Sequence, residues 1–330
     1  MHLFELTRRM VDIESTTGME REAAEFVAGY LRGQGAEVSL EDAEPGRPNV
    51  FASWGKPDVV VSTHLDTVPP FFPSSEDDSA IRGRGSCDAK GIAAAMIKAA
   101  ERLRAEGRSG FGVLFLVGEE RNSTGAQFAN RTPRGSRFLI NGEPTENKLA
   151  LGSKGALRME FESHGRMAHS AYPELGESAI EKLLTALVNL RSIPWPADPV
   201  LGATTCNIGT ISGGRAPNVI PDEARAEVFV RLVSDSGPVR AAVEKAVAGL
   251  TEIQYVLDMP AIHLGTLDGF RTTVVSFTTD IPSLTAWGKP YLLGPGSITV
   301  AHTEREYVSK RELEEAVVLY ADLVKRLQAS

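Results

Sequence analysis

The stretch Asp58-Val59-Val60-Val61-Ser62-Thr63-His64-Leu65-Asp66 decides how the rest of the chain is read. A run of β-branched residues bounded by turn-forming positions predicts a buried strand. That strand delivers a histidine and, one residue further on, an aspartate. A neutral imidazole suits zinc, and a nearby carboxylate can hydrogen-bond the second ring nitrogen and fix its tautomer. Taken alone, His-x-Asp after a strand is more commonly a capped turn or a satisfied surface histidine.

Three further stretches repeat the pattern. Residues 111–117 form an apolar run that stops at Gly118-Glu119-Glu120, and residues 138–140 stop at Asn141-Gly142-Glu143-Pro144-Thr145. Residues 291–293 stop at Gly294-Pro295-Gly296-Ser297, with His302 shortly after. Continuous apolar runs are the mark of strands covered on both faces, so the fold class is α/β, with a mostly parallel, doubly wound sheet. In such sheets functional side chains gather in the crevice beyond the carboxyl ends of the strands. Core packing gives no reason for two histidines and several carboxylates to collect there.

At 330 residues the chain exceeds the usual single-domain size, which predicts two domains. Hydrophobic residues at 42% and charged residues at 24% describe a soluble globular protein. A net charge of −8 argues against a nucleic-acid partner, because phosphate binding needs a basic face. No apolar stretch approaches the ~20 residues of a membrane span. The amino terminus carries charge too early for a signal peptide, and two cysteines, Cys87 and Cys206, fit a reducing compartment. The expected location is cytoplasmic.

In chain order, helices are predicted over residues 3–13 and 20–31, and short strands over 38–40 and 50–54. After the His64 strand comes a loop rich in proline, serine and acidic residues. Arg82-Gly83-Arg84-Gly85-Ser86-Cys87-Asp88-Ala89-Lys90-Gly91 then leads into an alanine-rich helix over residues 92–105. A dinucleotide fingerprint fails there, because the third glycine position is Asp88, whose charge would oppose a pyrophosphate. A phosphate loop fails too, because Lys90 is followed by glycine. What remains is a glycine-shaped turn presenting Asp88 at a helix start, with a plain N-cap as the alternative.

From residue 155 to residue 263 the pattern reads strand, helix, two strands, helix, strand. This is the split βαβ order of a small ferredoxin-like α+β domain. Candidate catalytic segments lie on both sides of it, so it is read as an insertion. The expected division is therefore a catalytic domain of residues 1–154 and 264–330, interrupted by a domain of residues 155–263. A closing helix is predicted over residues 310–327.

The collected candidates are His64, Asp66, Asp88, Glu119, Glu120, Glu143 and His302. A two-metal site needs an imidazole and a carboxylate for each ion plus a bridging carboxylate, with the ions ~3.5–4 Å apart. The set meets that demand, with Asp66 left over to orient an imidazole and one glutamate to act as general base on a bound water.

With those residues in place, the sequence resembles the dinuclear-zinc amidohydrolases that include acetylornithine deacetylase, succinyl-diaminopimelate desuccinylase, aminoacylase and the glutamate carboxypeptidases. The motifs are Ser62-Thr63-His64-Leu65-Asp66-Thr67-Val68-Pro69, Gly83-Arg84-Gly85-Ser86-Cys87-Asp88-Ala89-Lys90-Gly91, Gly118-Glu119-Glu120 and Gly142-Glu143-Pro144-Thr145. To these the carboxyl-terminal part adds Gly294-Pro295-Gly296-Ser297-Ile298, Ala301-His302-Thr303 and Glu306-Tyr307. The ending looks most like the acetylornithine and acetylcitrulline deacetylase branch.

The resemblance implies that His64, Asp88 and Glu120 hold one metal and that Asp88, Glu143 and His302 hold the other. The ions would be zinc, with cobalt or manganese as alternatives. Asp66 would orient His64, and Glu119 would be the general base. In the inserted domain, Gly165-Arg166-Met167-Ala168-His169-Ser170 resembles the segment whose histidine enters a partner subunit's site to stabilise an oxyanion. Asn218 and Arg231 match positions that grip a substrate α-carboxylate, a task suited to the planar guanidinium fork. A lid and dimerisation role for the inserted domain, and a homodimer, are implied in the same way.

The implied reaction is hydrolysis of an N-acyl, above all N-acetyl, amino acid by a zinc-bridging hydroxide. A carboxypeptidase or dipeptidase using the same centre is the alternative, and a dead hydrolase fold that only binds is a rival of another kind. Two features depart from the family pattern: Gly91-Ile92 stands where many members have two glycines, and Thr279-Asp280-Ile281 stands where the deacetylase branch shows Thr-Glu-Ala. His2, His164 and His263 match no motif, and Cys87 is expected to be a small buried residue.

Overall fold

The apolar run after Asp58 forms the strand Val59–His64, and every residue in it is buried. Its side chains alternate between two cores, because successive residues of a strand face opposite sides of the sheet. Val59 and Val61 join one core with Phe111, Val113, Phe115 and Ile140. Val60 joins the other with Leu114, Leu116, Leu139 and Trp287. Coverage of both faces is what the unbroken hydrophobic runs require.

The computed structural model describes residues 1–330. Val59–His64 lies at the centre of a six-stranded sheet. It runs parallel to Phe111–Leu116 on one side and to Phe138–Asn141 on the other, and Lys289–Leu292 extends the sheet in parallel beyond Phe138–Asn141. On the opposite side Arg47–Trp54 and Glu37–Glu44 add an antiparallel hairpin, with Arg47–Trp54 against Phe111–Leu116. The sheet is α/β and mostly parallel. The helices Leu3–Val11, Arg21–Gly33, Lys90–Ala105 and Lys310–Gln328 supply the larger core, while the other face receives the short helix Thr124–Ala129 and Trp287. Lys90–Ala105 is alanine-rich because it is buried on nearly all sides, where small side chains let neighbouring backbones approach.

Beside this sheet, Ser75–Glu76, Ala80–Arg82 and Tyr307–Ser309 form a small antiparallel sheet. Ser309 then caps the last helix, its hydroxyl accepting the Glu312 N–H at 3.4 Å.

By its internal packing the chain separates into two units. The first comprises Met1–Leu151, Leu264–Thr273 and Thr279–Ser330; the second comprises Gly152–His263 and Val274–Thr278. The segment Val274–Thr278 lies beyond the boundary drawn from the sequence. It belongs to the second unit because the Lys154 N–H donates to the Val275 carbonyl at 3.1 Å, a pairing that no side-chain pattern announces.

In the second unit the antiparallel strand order is Thr205–Gly213, Glu223–Leu232, Gly155–His164, Glu252–Met259. The helices Ala179–Arg191 and Ser236–Val247 supply Leu183, Leu187, Leu190, Val239, Val243 and Val247 to its core. Alternate residues of Glu223–Leu232 face that core, namely Ala224, Ala226, Val228, Val230 and Leu232. No helix of the protein is long and apolar enough to cross a membrane.

Candidate metal centre

Three parallel strands, Val59–His64, Phe111–Leu116 and Phe138–Asn141, end on one rim, and each is followed at once by a candidate side chain. Asp88 reaches the same place from the turn before Lys90–Ala105, and His302 from the segment after Lys289–Leu292. The His302 backbone adopts φ +62°, a left-handed conformation uncommon for a residue with a side chain.

Asp88 is the shared member of the cluster. One of its carboxylate oxygens lies 3.0 Å from His64 Nε2 and the other 3.3 Å from His302 Nε2. Glu143 Oε2 stands 4.0 Å from His64 Nε2, and Glu120 Oε1 stands 3.0 Å from His302 Nε2. The donors therefore fall into two trios, His64–Asp88–Glu143 and Asp88–Glu120–His302, with the ligand atoms of each within 4.8 Å of one another. This grouping reverses the two glutamates relative to the partition implied by the resemblance. The reason lies in the turn after Phe111–Leu116. The Asp66 carboxylate accepts the N–H groups of Glu119 and Glu120 at 3.0 and 3.2 Å, and the turn held this way brings Glu120 to His302.

Asp66 also differs from the simple expectation. His64 Nδ1 meets the Asp66 main-chain oxygen at 3.0 Å, whereas the Asp66 carboxylate is 3.6 Å away. That carboxylate is occupied by the Glu119–Glu120 turn and by the Thr17 hydroxyl at 2.8 Å. One buried aspartate thus orients the imidazole through its backbone and the Glu119–Glu120 turn through its side chain.

The electrostatics follow from crowding acids in a dry place. Burial, with Glu119 and Asp88 adding to it, pushes Glu143 well above the usual carboxylate range. Burial likewise raises Glu119, with Asp280, Glu120 and Asp88 adding to the effect. Burial raises Glu120, assisted by Asp88. Burial also opposes the Asp88 charge, yet hydrogen bonds from His302 and His64 outweigh it and hold this carboxyl below its ordinary value. His302 rises to about 10 through its hydrogen bonds to Asp88 and Glu120.

Sequence reasoning did not reach Asp280 as a member of this environment. It is buried, and burial raises it to about 7, with Asp66 and Glu120 adding to the effect against an opposing hydrogen bond from Ser123. Only the departure at Thr279-Asp280-Ile281 signalled it.

The donor set suits two divalent cations. Carboxylates and imidazoles are the ligands zinc and similar ions prefer, and Glu143 Oε1 is buried without a partner. Acids gathered this closely need positive charge among them.

In the second unit, His169 and Asn218 are neighbours. His169 pairs with Val219 on a two-stranded ribbon, and the Ser170 N–H donates to the Asn218 carbonyl at 3.0 Å. Both residues are exposed. His169 Nδ1 accepts the Ala171 N–H at 3.1 Å, which places the ring proton on Nε2. Arg231 is half-buried on the strand Glu223–Leu232, forms no ion pair, and lies over the Phe229 ring at 4.6 Å. Cys87 is buried and free, and burial raises its thiol well above the ordinary range.

Comparison with known proteins gives this arrangement a context. Residues 151–255 match a family model described as the peptidase dimerisation domain of the M20 family. A peptidase M20 domain-containing protein of Schizosaccharomyces pombe is 40% identical over 98% of this chain and 84% of its own length. A probable carboxypeptidase of Aspergillus clavatus is also 40% identical, over 98% of this chain and 82% of its own. Among solved structures, aminopeptidase PepT from Bacillus cereus superposes with a TM-score of 0.83 at 19% identity, covering 99% of this chain and 98% of that one. An M20 family metallo-carboxypeptidase from Sulfolobus solfataricus gives 0.77 at 16% identity and full coverage of both chains. The chain belongs to the peptidase M20 family.

Proposed function

We propose that this protein is a dinuclear metallohydrolase that releases an amino acid from the carboxyl end of a short peptide. The observation that carries the reading is the pair of donor trios sharing Asp88. His64, Asp88 and Glu143 would hold one divalent ion, and Asp88, Glu120 and His302 the other, with zinc first and cobalt or manganese as alternatives. Bound there, the ions would supply Lewis acidity and lower the pKa of water.

Glu119 takes the proton from the attacking water at its carboxylate and returns it to the leaving amine nitrogen. A carboxylate half-buried beside the donor trios and aimed by a fixed turn suits a group that must do both. Asp66 holds the turn that aims Glu119. Arg231, which has no carboxylate partner within the chain, binds the free carboxylate of the departing residue, with Asn218 assisting. His169, contributed by a second copy, donates its Nε2–H to the developing oxyanion. The relatives named as carboxypeptidases support the peptide reading.

A second reading, N-acetyl amino acid hydrolysis, is favoured by the ending Gly294-Pro295-Gly296-Ser297-Ile298 with Ala301-His302, which resembles the deacetylase branch. A kinetic panel separates the two. Dipeptides and tripeptides are set beside acetylated ornithine, citrulline, lysine and methionine and succinyl-diaminopimelate, each with and without chelator. Peptide turnover above that of every acylated amino acid is expected. Full activity after chelation would end both readings.

A further inference from the structure

Glu306 stands in the motif Glu306-Tyr307, and nothing in the chemistry described so far uses it. It is buried, with 1% of its surface exposed. Its Oε1 accepts three main-chain N–H groups, from Gly85 at 2.9 Å, Cys87 at 3.0 Å and Asp88 at 3.1 Å. Its Oε2 accepts Arg84 Nη1 at 2.6 Å. Arg84 is equally buried; it donates from Nε to the Pro70 carbonyl at 3.2 Å and lies over the Phe72 ring.

The turn before Lys90–Ala105 is thus wrapped around a carboxylate supplied by the protein itself. Main-chain N–H groups of one turn aimed at one point form an anion-binding concavity, as elsewhere around a phosphate; here Gly85, Cys87 and Asp88 supply them, while the Ser86 N–H turns away to the Gly83 carbonyl. Gly85 at φ +87° makes the wrap possible, since a Cβ there would sit 2.8 Å from Thr67 Cγ2. Here the anion comes from a segment distant in sequence but four residues past His302. One side chain therefore ties the Asp88 turn to the strand that follows the second histidine.

We propose that Glu306 is the positioning residue of the metal centre: through the Asp88 N–H and its neighbours it sets the orientation of the carboxylate shared by the two donor trios. The inference rests on the dinuclear reading given above. Asp88 must direct one oxygen to each trio, so a small rotation of its turn misplaces both at once. Charge-assisted hydrogen bonds resist that rotation more strongly than neutral ones. The Arg84 guanidinium balances the buried charge, which would otherwise be costly.

The test compares metal-free wild type, E306Q and E306D, each titrated with Zn2+ by calorimetry and with Co2+ by visible absorption. E306Q keeps the length of the side chain and loses its charge; E306D keeps the charge and loses the reach. Both are expected to fold with wild-type circular dichroism and to bind metal roughly 10–100-fold more weakly, the usual effect of disturbing an outer-shell support. A shifted Co2+ spectrum and a kcat lowered by a similar factor, with KM within about threefold, should accompany this. A purely architectural role would lower the melting temperature and leave metal affinity and the Co2+ spectrum untouched. That result in either folded variant overturns the proposal, and so does failure of both to fold. If wild type itself takes up fewer than two equivalents, the dinuclear function fails instead.

Discussion

Two clusters of histidine and glutamate in this molecule look alike on paper and differ in kind. In the first unit His64, Asp88 and Glu143 are buried together, and Glu143 Oε1 has no partner. In the second unit Glu162, His164 and Glu223 offer donor atoms just as close. Those residues face solvent, and Arg225 binds Glu162 at 2.8 Å. Exposure to solvent and the Arg225 guanidinium relieve the charge of the second group. The first has only other acids and two imidazoles, so its charge balance calls for cations from outside. Proximity of ligand types is weak evidence for a metal; proximity combined with burial and missing countercharge is strong evidence.

Several measurements would break or sharpen that contrast. The largest effect is expected from Glu119→Ala, which should fold, retain its metal and lose about 10²–10⁴-fold in kcat. Wild-type-like turnover by the variant would remove Glu119 from its role. Next, His302→Ala should lower metal uptake below two equivalents by elemental analysis, whereas His164→Ala should bind the wild-type amount. A loss of metal in the His164 variant would erase the distinction between the clusters.

A pH effect should be smaller but diagnostic. In the metal-free protein His302 is raised from 6.5 to about 10 by Asp88 and Glu120. Its protonated form is therefore favoured by folding, a contribution complete below pH 6.5 and lost as pH rises through about 10. Thermal melts of the metal-free protein should fall across that window, and His302→Asn should flatten the fall. Smallest of all, Arg225→Ala should cost no more than about 1 kcal/mol in denaturant titration, because exposed ion pairs contribute little.

Much of the first unit was legible because its strands are short apolar runs that end directly in chemistry. Val59–His64 and Phe111–Leu116 could be read from β-branched and aromatic content alone. In the second unit Glu223–Leu232 alternates buried and wet residues as a one-sided strand must. The partition of Glu120 and Glu143 between the two histidines was not legible. It depends on Asp66 accepting the Glu119 and Glu120 N–H groups, which fixes the direction of a turn rather than the identity of a residue. The Val274–Thr278 segment escaped for a similar reason, since main-chain hydrogen bonding places it in the second unit.

By itself, then, the sequence determined most of the side chains this protein gathers around Asp88 and the elements that carry them, though not Asp280. Hydrophobic periodicity and residue chemistry are local properties, written one position at a time. Tertiary structure alone decided how those side chains are shared out: Asp88 between two imidazoles, Asp66 between a ring and a turn, Glu306 beneath the loop that holds Asp88. Such sharing is set by hydrogen bonds between segments far apart in the chain, and no spacing along it encodes their angles.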